Sequence, residues 1–284
     1  LVFGVTSVVD MFMNPATMKA IKDKQAVASD GSMATLISAG ILATAPGGHG
    51  TEYGMSIPTV SGPDEARDFV AARIAEGSDF IKIIYDDGSK FDLGWATFDR
   101  ETLAALIEAT HASDKLAVVH ATSLADAQTA IRAGADALAH LYYDDGYDPE
   151  FGELVASQDA FVIPTLSVIE SMSGTSGASA LIADPYLSPY LNQADRVGLR
   201  LSFGTAQELG RRSYESAEKG LRQLRAAGVS ILAGTDVPNP GTAYGSSLHR
   251  EMKLLVDAGM SPTEVLRSAT SVPATKFGIP GRGQ

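Results

Sequence analysis

LAVVHATSLADAQTAIRAGADALAH, residues 116–140, contains the pattern that decides the fold. Its two ends, LAVVH and ALAH, are short apolar runs typical of strands that are covered on both faces. Between them, residues 123–133 are predicted to form a helix that is closed by Gly134. Strand, helix and strand in this order predict a βαβ unit, in which the two strands lie parallel.

The same alternation extends in both directions. The predicted strands are residues 4–10 (GVTSVVD), 39–45 (AGILATA), 80–85 (FIKIIY), 116–120, 137–140, 161–165 (FVIPT) and 230–235 (SILAGT). The predicted helices are residues 63–77, 99–113, 123–133, a stretch near 149–157, 217–227 and 247–258, with a last one opened by Ser261 and Pro262. Seven strands alternating with helices predict an α/β fold with a parallel sheet. No Gly-X-Gly-X-X-Gly motif follows a strand, which weakens an open nucleotide-binding sheet without excluding it.

Composition restricts the partners and the kinds of metal site. A chain of 284 residues suits one α/β barrel. Its net charge of −12 argues against nucleic acid or an anionic membrane surface as a partner, because both select basic surfaces. Without cysteine, any metal must be bound by histidine, carboxylate or modified lysine. No apolar run reaches the roughly 18–20 residues of a membrane span, and nothing separates a cytoplasmic from an exported protein.

Four predicted strands carry a polar residue inside or just after their apolar run. Lys82 lies inside FIKII, His120 closes LAVVH, His140 closes ALAH, and Asp236 follows ILAGT. A single His or Asp at a strand end is more often structural than catalytic, but a buried ammonium group is costly unless it is paired or neutralised. In a barrel, neighbouring strand ends meet at the rim where active sites form. The four residues together predict a metal site, and carbamylation by CO₂ is one way to make Lys82 an anionic ligand.

The segments FIKIIYDDG, KLAVVHATS, GADALAH and ILAGTD resemble the amidohydrolase superfamily, most closely its imidazolonepropionase-like and Xaa-Pro dipeptidase-like group. The resemblance extends from GVTSVVD at residue 4 to SATSVPATKFGIP near the end, and so covers nearly the whole chain. Each motif is weak alone, but four ordered matches at strand ends are fairly specific. The resemblance implies a (β/α)₈ TIM barrel with one or two divalent metal ions, usually zinc.

Family roles transfer to four residues of this chain. By the resemblance, Lys82 is the strand-four lysine that bridges two metal ions once it is carbamylated. His120 and His140 match the histidines that hold the second metal. Asp236 matches the aspartate that binds the first metal and takes the proton of the attacking hydroxide. A metal lowers the pKa of bound water and polarises the scissile carbonyl, and an adjacent carboxylate can pass the proton to the leaving amine.

The chain departs from the family pattern at its start. The family places a His-X-His pair on strand one, and this chain has no histidine before His49. We therefore expect residues 1–284 to be a single metal-dependent hydrolase barrel domain that lacks strand 1 and the flanking β-sandwich, as in a chain truncated at both ends.

Four further residues are predicted to bind substrate. His49 lies in PGGHGTEYG, where similar proteins have a substrate-side loop, and a plain polar loop is the alternative. Tyr85, with Asp86 and Asp87, follows the lysine strand. Tyr142 and Tyr143 follow His140 and could hydrogen-bond a substrate carboxylate or carbonyl. Specificity is expected to lie in loops 47–54 and 171–179, the latter a flexible, lid-like loop.

The leading functional hypothesis is hydrolysis of an amide-type C–N bond in a small-molecule substrate, such as a dipeptide, an N-acyl amino acid or a cyclic amide. Esters or carbamates would suit the same centre. Two alternatives stay open: a non-catalytic remnant without the strand-one histidines, and a lyase that uses Lys82 as a Schiff base. A homo-oligomer is possible, and the sequence fixes neither the substrate, nor the number of metal ions, nor the oligomeric state.

Overall fold

Parallel strands alternate with helices along the chain, so the predicted α/β class is confirmed. The computed structural model describes residues 1–28, 31–174, 177–204, 207–279 and 281–283. The chain divides into two units, one of Leu1 and Phe3–Leu138 and one of Val2 and Ala139–Gln284.

The first unit contains two sets of parallel strands. Its elements are β1 (Ser7–Asp10), α1 (Pro15–Val27), β2 (Thr35–Ser38), α2 (Ala66–Ala75), β3 (Ile81–Ile84), α3 (Arg100–His111), β4 (Ala117–His120), α4 (Leu124–Arg132) and the start of β5 (Ala137–Ala139). Strand β1 pairs with β2, and β4 pairs with β3 on one side and β5 on the other. Every residue of β3 and β4 is buried, as expected for strands covered on both faces.

Local signals in the sequence account for the helix boundaries in this unit. Asp99 caps α3 by accepting a hydrogen bond from the N–H of Thr102 at 2.7 Å. Ser123 caps α4 in the same way through the N–H of Asp126. After α4, Gly134 adopts a φ of 97°, which a residue with a side chain rarely adopts. The predicted helices at 99–113 and 123–133 are therefore confirmed.

The second unit is richer in helices. Its elements are α5 (Phe151–Ser157), β6 (Phe161–Ile163), α6 (Leu166–Met172), α7 (Ser179–Ala183), α8 (Gln193–Gly198), α9 (Gln207–Ala226), β7 (Ser230–Ile231), α10 (Ser246–Asp257), α11 (Pro262–Ser268) and α12 (Ser271–Lys276). Strand β6 pairs in parallel with β7. Helix α9 packs on both α5 and α6, and its Leu221 and Leu224 are fully buried.

The second predicted strand is wrong in position. Residues 39–45 form only a single bridge, between Ala43 and Ile83, whereas the strand that pairs with β1 is β2, immediately before them. The apolar residues of this run are buried, but Gly40 at a φ of 63° turns the chain out of the strand. Residues 39–45 are therefore buried without the continuous hydrogen bonding of a strand, and their apolar sequence pattern is the same as that of a strand.

The buried residues of α10 are Ser246, Ser247, Glu251, Leu254 and Leu255. Leu248, Met252 and Val256 of the same helix are partly buried. The predicted loop 171–179 begins inside α6 and ends where α7 starts, and its residues 175–176 lie outside the described part of the chain. Within the described residues, no helix is long and apolar enough to cross a membrane.

Candidate functional site

Strands β3 and β4 place Lys82 and His120 in the first unit. In the parallel register, Lys82 lies opposite Val118, two residues before His120. Because side chains alternate along a strand, Lys82 and His120 project from the same face of the sheet. Lys82 is 3% exposed and His120 is 7% exposed, so both polar groups are held in a largely dry environment.

Asp86, just beyond β3, is bonded to His120. Its Oδ2 lies 3.1 Å from Nε2 of His120 and accepts from Oγ1 of Thr122 at 2.9 Å, while its Oδ1 accepts from the N–H of Gly88 at 2.9 Å. Burial acts to raise the pKa of Asp86, but the hydrogen bond and charge of His120, with the bonds from Gly88 and Thr122, hold that pKa below its ordinary value. A carboxylate that fixes an imidazole in this way is the usual companion of a metal-binding histidine.

His49 lies beside His120 and is held by two neighbours. Its ring centroid is 5.0 Å from that of His120, and on its other side it stacks on Trp95 at 4.3 Å with an interplanar angle of 23°. Its Nδ1 lies 2.6 Å from Oε1 of Glu52. The structure therefore brings together His49 and His120, two of the residues that the sequence singled out. Glu52 and Trp95 are additional parts of this cluster.

The loop that carries Trp95 is tied to Asp86. Trp95 donates its backbone N–H to the carbonyl of Asp87 at 2.9 Å. A Cβ on Gly88 would approach the Trp95 ring to 2.8 Å, so the ring packs directly on the glycine backbone. Since Asp86 also accepts from Gly88, one carboxylate organises both the His120 ring and the loop under Trp95.

Tyr85, the predicted substrate-binding neighbour of Lys82, faces other groups. Burial raises the pKa of Tyr85, and so does the negative charge of Asp126, while a hydrogen bond from Arg100 opposes the shift. These partners belong to α3 and α4 or their flanks, so Tyr85 lies against the helices, whereas Asp86 reaches His120. The role of Tyr85 in substrate binding stays a prediction.

In the second unit, His140 and Asp236 face one another. The Nδ1 of His140 lies 2.7 Å from Oγ1 of Thr165, and its Nε2 lies 3.8 Å from Oδ2 of Asp236. The same Asp236 oxygen accepts from Nδ2 of Asn239 at 2.8 Å. At 3.8 Å the two atoms are beyond direct hydrogen-bond distance, and this spacing suits two ligands of one cation. The predicted proximity of His140 and Asp236 is thus observed.

Backbone conformation is unusual at two residues of this group. Thr165 and Asp236 adopt the left-handed region, with φ values of 50° and 52°. This conformation is rare for residues other than glycine and is a marked outlier for a β-branched threonine. It costs on the order of 1–3 kcal/mol per residue and persists only where neighbouring contacts enforce it.

Glu251 of α10 contacts the turn that contains Thr165. Its Oε1 accepts from the N–H of Leu166 at 3.0 Å, and its Oε2 accepts from the N–H of Ser167 at 2.7 Å. Burial raises the pKa of Glu251 to about 7, although both backbone hydrogen bonds act to lower it. Glu251 carries no recognisable signal in the sequence, because it lies in an amphipathic helix, 85 positions from Leu166, its first partner.

The two tyrosines after His140 are buried. Tyr142 is 1% exposed, packs edge-on against Phe151 at 5.4 Å, and abuts Gly220 of α9. Burial raises its pKa to about 12, with further contributions from nearby acidic groups. These surroundings favour a packing role for Tyr142 over substrate binding. Tyr143 is 7% exposed, and its predicted role in binding is not tested by its burial.

His120 in the first unit and His140 in the second are predicted metal ligands, and the ring of each is oriented by an oxygen partner. Within the described ranges, no three His, Cys, Asp or Glu side chains form a group that could hold a metal ion. The His140–Asp236 pair fits two ligands of one cation by its spacing, and the Asp86–His120 pair fits an oriented ligand by its hydrogen bond. The prediction that Lys82, His120, His140 and Asp236 converge at one rim stays a prediction.

Comparison with known proteins identifies related sequences and folds. A model of the amidohydrolase family matches residues 3–283. Ochratoxinase from Aspergillus niger is 27% identical over 214 residues, which cover 74% of this chain and 38% of the ochratoxinase. The chain thus spans less than two fifths of the length of this curated relative.

Solved structures share the fold over the full length of the chain. The crystal structure of A. niger ochratoxinase superposes with a TM-score of 0.74 and 23% identity, covering 100% of this chain and 64% of that one. A Xaa-Pro dipeptidase with bound methionine in its active site gives a TM-score of 0.70 and 22% identity, covering 100% of this chain and 68% of that one. At this identity the structures support a common fold.

Proposed function

The chain belongs to the amidohydrolase family, and from this premise we propose that it hydrolyses an amide-type C–N bond. The observation that carries the proposal is the facing pair of His140 and Asp236, whose Nε2 and Oδ2 atoms lie 3.8 Å apart. A hydrogen bond to Thr165 orients the His140 ring, and a hydrogen bond from Asn239 orients the Asp236 carboxylate. Such an arrangement presents an imidazole nitrogen and a carboxylate oxygen to the same point.

We propose a TIM barrel as the complete architecture. The parallel strand pairs and the βα alternation support it, and so does the likeness to solved amidohydrolase-type structures at TM-scores of 0.70 and 0.74. In such a barrel, catalytic groups project from the ends of the strands. His120 ends β4 and His140 follows β5, in agreement with this rule.

A divalent metal, with zinc as the first choice, would be held by His140 and Asp236 in the second unit, while His120 and a carbamylated Lys82 are the candidate metal ligands of the first unit. Such an ion makes water nucleophilic at neutral pH and polarises the scissile carbonyl. The donor chemistry fits: imidazole and carboxylate are standard zinc ligands, and the chain has no thiol. The near-complete burial of Lys82 supports carbamylation, because it disfavours a charged ammonium group.

The remaining steps belong to the protein's own side chains. Oδ2 of Asp236 accepts a proton from the attacking water and passes it to the leaving nitrogen, so that the amine departs neutral. Asn239 donates to the same oxygen and keeps the carboxylate aimed at His140. Thr165 fixes the His140 ring, and Asp86 fixes the His120 ring, so neither must reorient during the reaction.

On the substrate side, His49 is the best-supported binding residue, since its ring lies next to His120 and is braced by Glu52 and Trp95. The names of similar proteins, a Xaa-Pro dipeptidase and an ochratoxinase, point to dipeptides and N-acyl amino acids as the first compounds to test. Cyclic amides, esters and carbamates complete the panel, because the same centre could attack them.

A hydrolysis screen tests the proposal. The protein is stripped of metal by a chelator, reloaded with zinc, and assayed on the panel. We expect amide hydrolysis that needs the metal and that falls by about 100-fold or more in Asp236→Asn, the range for loss of a proton-transfer group. Asp257→Asn, at a surface ion pair with Lys253, is the matched control and should keep full activity. Hydrolysis that is equal in Asp236→Asn and wild type, or absent on every compound, would overturn the proposal.

A further inference from the structure

Helix α6 begins without the cap that its sequence offers. Thr165 stands at the N-cap position, where a threonine hydroxyl ordinarily accepts from the first free N–H groups of the helix. Here the Thr165 side chain makes no capping hydrogen bond. Its Oγ1 lies instead 2.7 Å from Nδ1 of His140.

Glu251 takes over the capping role from a different helix. Its two carboxylate oxygens accept from the N–H groups of Leu166 and Ser167, at 3.0 and 2.7 Å, and the residue is completely buried. Because both N–H groups are satisfied by Glu251, the Thr165 hydroxyl is available to His140. The same two bonds hold the backbone just after Thr165, whose left-handed conformation needs such support.

We propose that Glu251 is a positioning residue that orients His140 through Thr165. The inference rests on the proposed function in one respect, namely that His140 serves the reaction. When Nδ1 carries the ring proton, it donates to Thr165 Oγ1 and leaves the Nε2 lone pair directed toward Asp236. Through Thr165, Glu251 therefore holds the ring orientation that the His140–Asp236 pair requires.

A purely structural role for Glu251 is the competing explanation, and the molecule offers a control for it. Glu170 also links α6 to α10, because its carboxylate accepts from Nε of Arg250 at 3.0 Å and forms a second, short contact with the same guanidinium. Glu170 does not bind the Thr165 turn through these contacts. If Glu251 only joined two helices, Glu170→Gln would have the same consequences as Glu251→Gln.

The test combines a spectroscopic signature of His140 with a double-mutant cycle. In Glu251→Gln, one amide oxygen can accept from one backbone N–H, but the amide NH₂ then faces the other N–H, so the turn loosens. The ¹⁵N resonances of the His140 ring, assigned with His140→Gln, should shift from their wild-type values in Glu251→Gln and Thr165→Val, because the hydrogen bond at Nδ1 is weakened or lost. They should stay as in wild type in Glu170→Gln and in Thr165→Ser, which keeps the hydroxyl.

Kinetics give the second readout. We expect kcat to fall by about 10–100-fold in both Glu251→Gln and Thr165→Val, with KM little changed, as for other residues that orient a metal-binding histidine. The double variant should be no worse than about threefold below the poorer single variant, because both changes break one connection. Glu170→Gln combined with Thr165→Val should multiply the separate effects.

The two proposals fail in different ways. An unchanged His140 ring signature in Glu251→Gln would overturn the positioning role, whatever the activity. The same shift in Glu170→Gln as in Glu251→Gln would also overturn it, since any link between the helices would then suffice. Absence of hydrolysis in the wild type would overturn the proposed function, but the ring signature would still decide the role of Glu251. If Glu251→Gln does not fold, Thr165→Val against Thr165→Ser tests the last link to His140.

Discussion

Nε2 of His120 lies 3.1 Å from Oδ2 of Asp86, although the two residues are 34 positions apart and end neighbouring strands. The contact is almost fully buried, and the same carboxylate also binds Thr122 and Gly88. A buried carboxylate with these partners stays ionised and determines how the imidazole is turned. The charge of Asp86 is therefore part of the candidate site.

Asp86→Asn should weaken the candidate site without unfolding the chain. The amide keeps the size of the carboxylate but loses its charge and one acceptor oxygen, so the His120 ring is no longer fixed. We expect metal affinity or kcat to fall by about 10–100-fold. Isothermal titration with zinc and steady-state kinetics measure the two effects. Asp87→Asn is the matched control, because Asp87 is exposed and caps only the N–H of Ser89. Equal losses in both variants would contradict the role of Asp86.

The pH dependence of stability should report the burial of Glu251. Burial raises its pKa in the folded state from 4.5 to about 7, and the negative charge of Glu170 adds to the shift. Between these two pH values the folded chain binds more protons than the unfolded chain, so the free energy of unfolding should fall as pH rises and level off above the upper value. The loss is at most roughly 3 kcal/mol.

Urea unfolding below and above that pH window checks this prediction. In Glu251→Gln, the fall in the free energy of unfolding with rising pH that is due to Glu251 should disappear, since the amide does not titrate. In Glu170→Gln most of that fall should remain. The prediction fails if the free energy of unfolding of the wild type changes across this pH window in the same way as that of Glu251→Gln. In that case folding does not raise the pKa of Glu251.

Much of the fold was predictable from the sequence, because burial on both faces leaves a plain signal. The runs around Lys82 and His120 proved to be strands, and the helices predicted at 99–113 and 123–133 begin directly after their caps, Asp99 and Ser123. Helix α1 was missed because Met18 is its one buried residue among those described, and so no apolar stripe marks it.

The site was predictable only in part. Strand-end logic identified His140 and Asp236, which lie 3.8 Å apart. It could not identify Glu251, because a charged residue in an amphipathic helix is ordinarily exposed, and its partners are backbone groups that leave no trace in sequence. The left-handed backbone of Thr165 was equally hidden, since it depends on that tertiary contact.

Lys82 should react with CO₂ if the site forms as proposed. Lys82 is 3% exposed, and a carbamate forms from the neutral form of an amine. With ¹³C-bicarbonate and zinc, we expect a protected carbamate carbonyl signal that is missing in Lys82→Arg. Lys22→Arg is the control, because the Lys22 side chain is more exposed than Lys82 and forms an ion pair with Asp79. Borohydride trapping of a carbonyl compound on Lys82, without a carbamate signal, would instead favour the Schiff-base lyase.

Trp95 should report events at His49, because it is the only tryptophan of the chain and its ring stacks on His49 at 4.3 Å. A ligand that contacts His49 must change the surroundings of the indole. We expect a saturable change in fluorescence on adding an N-acyl amino acid that is hydrolysed. His49→Ala should remove that response and also shift the emission of the free protein, since the stacked imidazole is replaced by solvent.

His111→Ala is the matched control for this experiment. His111 is also paired with a carboxylate, that of Asp136 at 2.9 Å, whereas the imidazole that stacks on Trp95 is that of His49. It should leave both the emission and the titration unchanged. An unaltered response in His49→Ala would mean that the ligand binds elsewhere, and the substrate-binding prediction for His49 would fall. A response that is lost together with hydrolysis places the substrate against His49, next to the imidazole of His120.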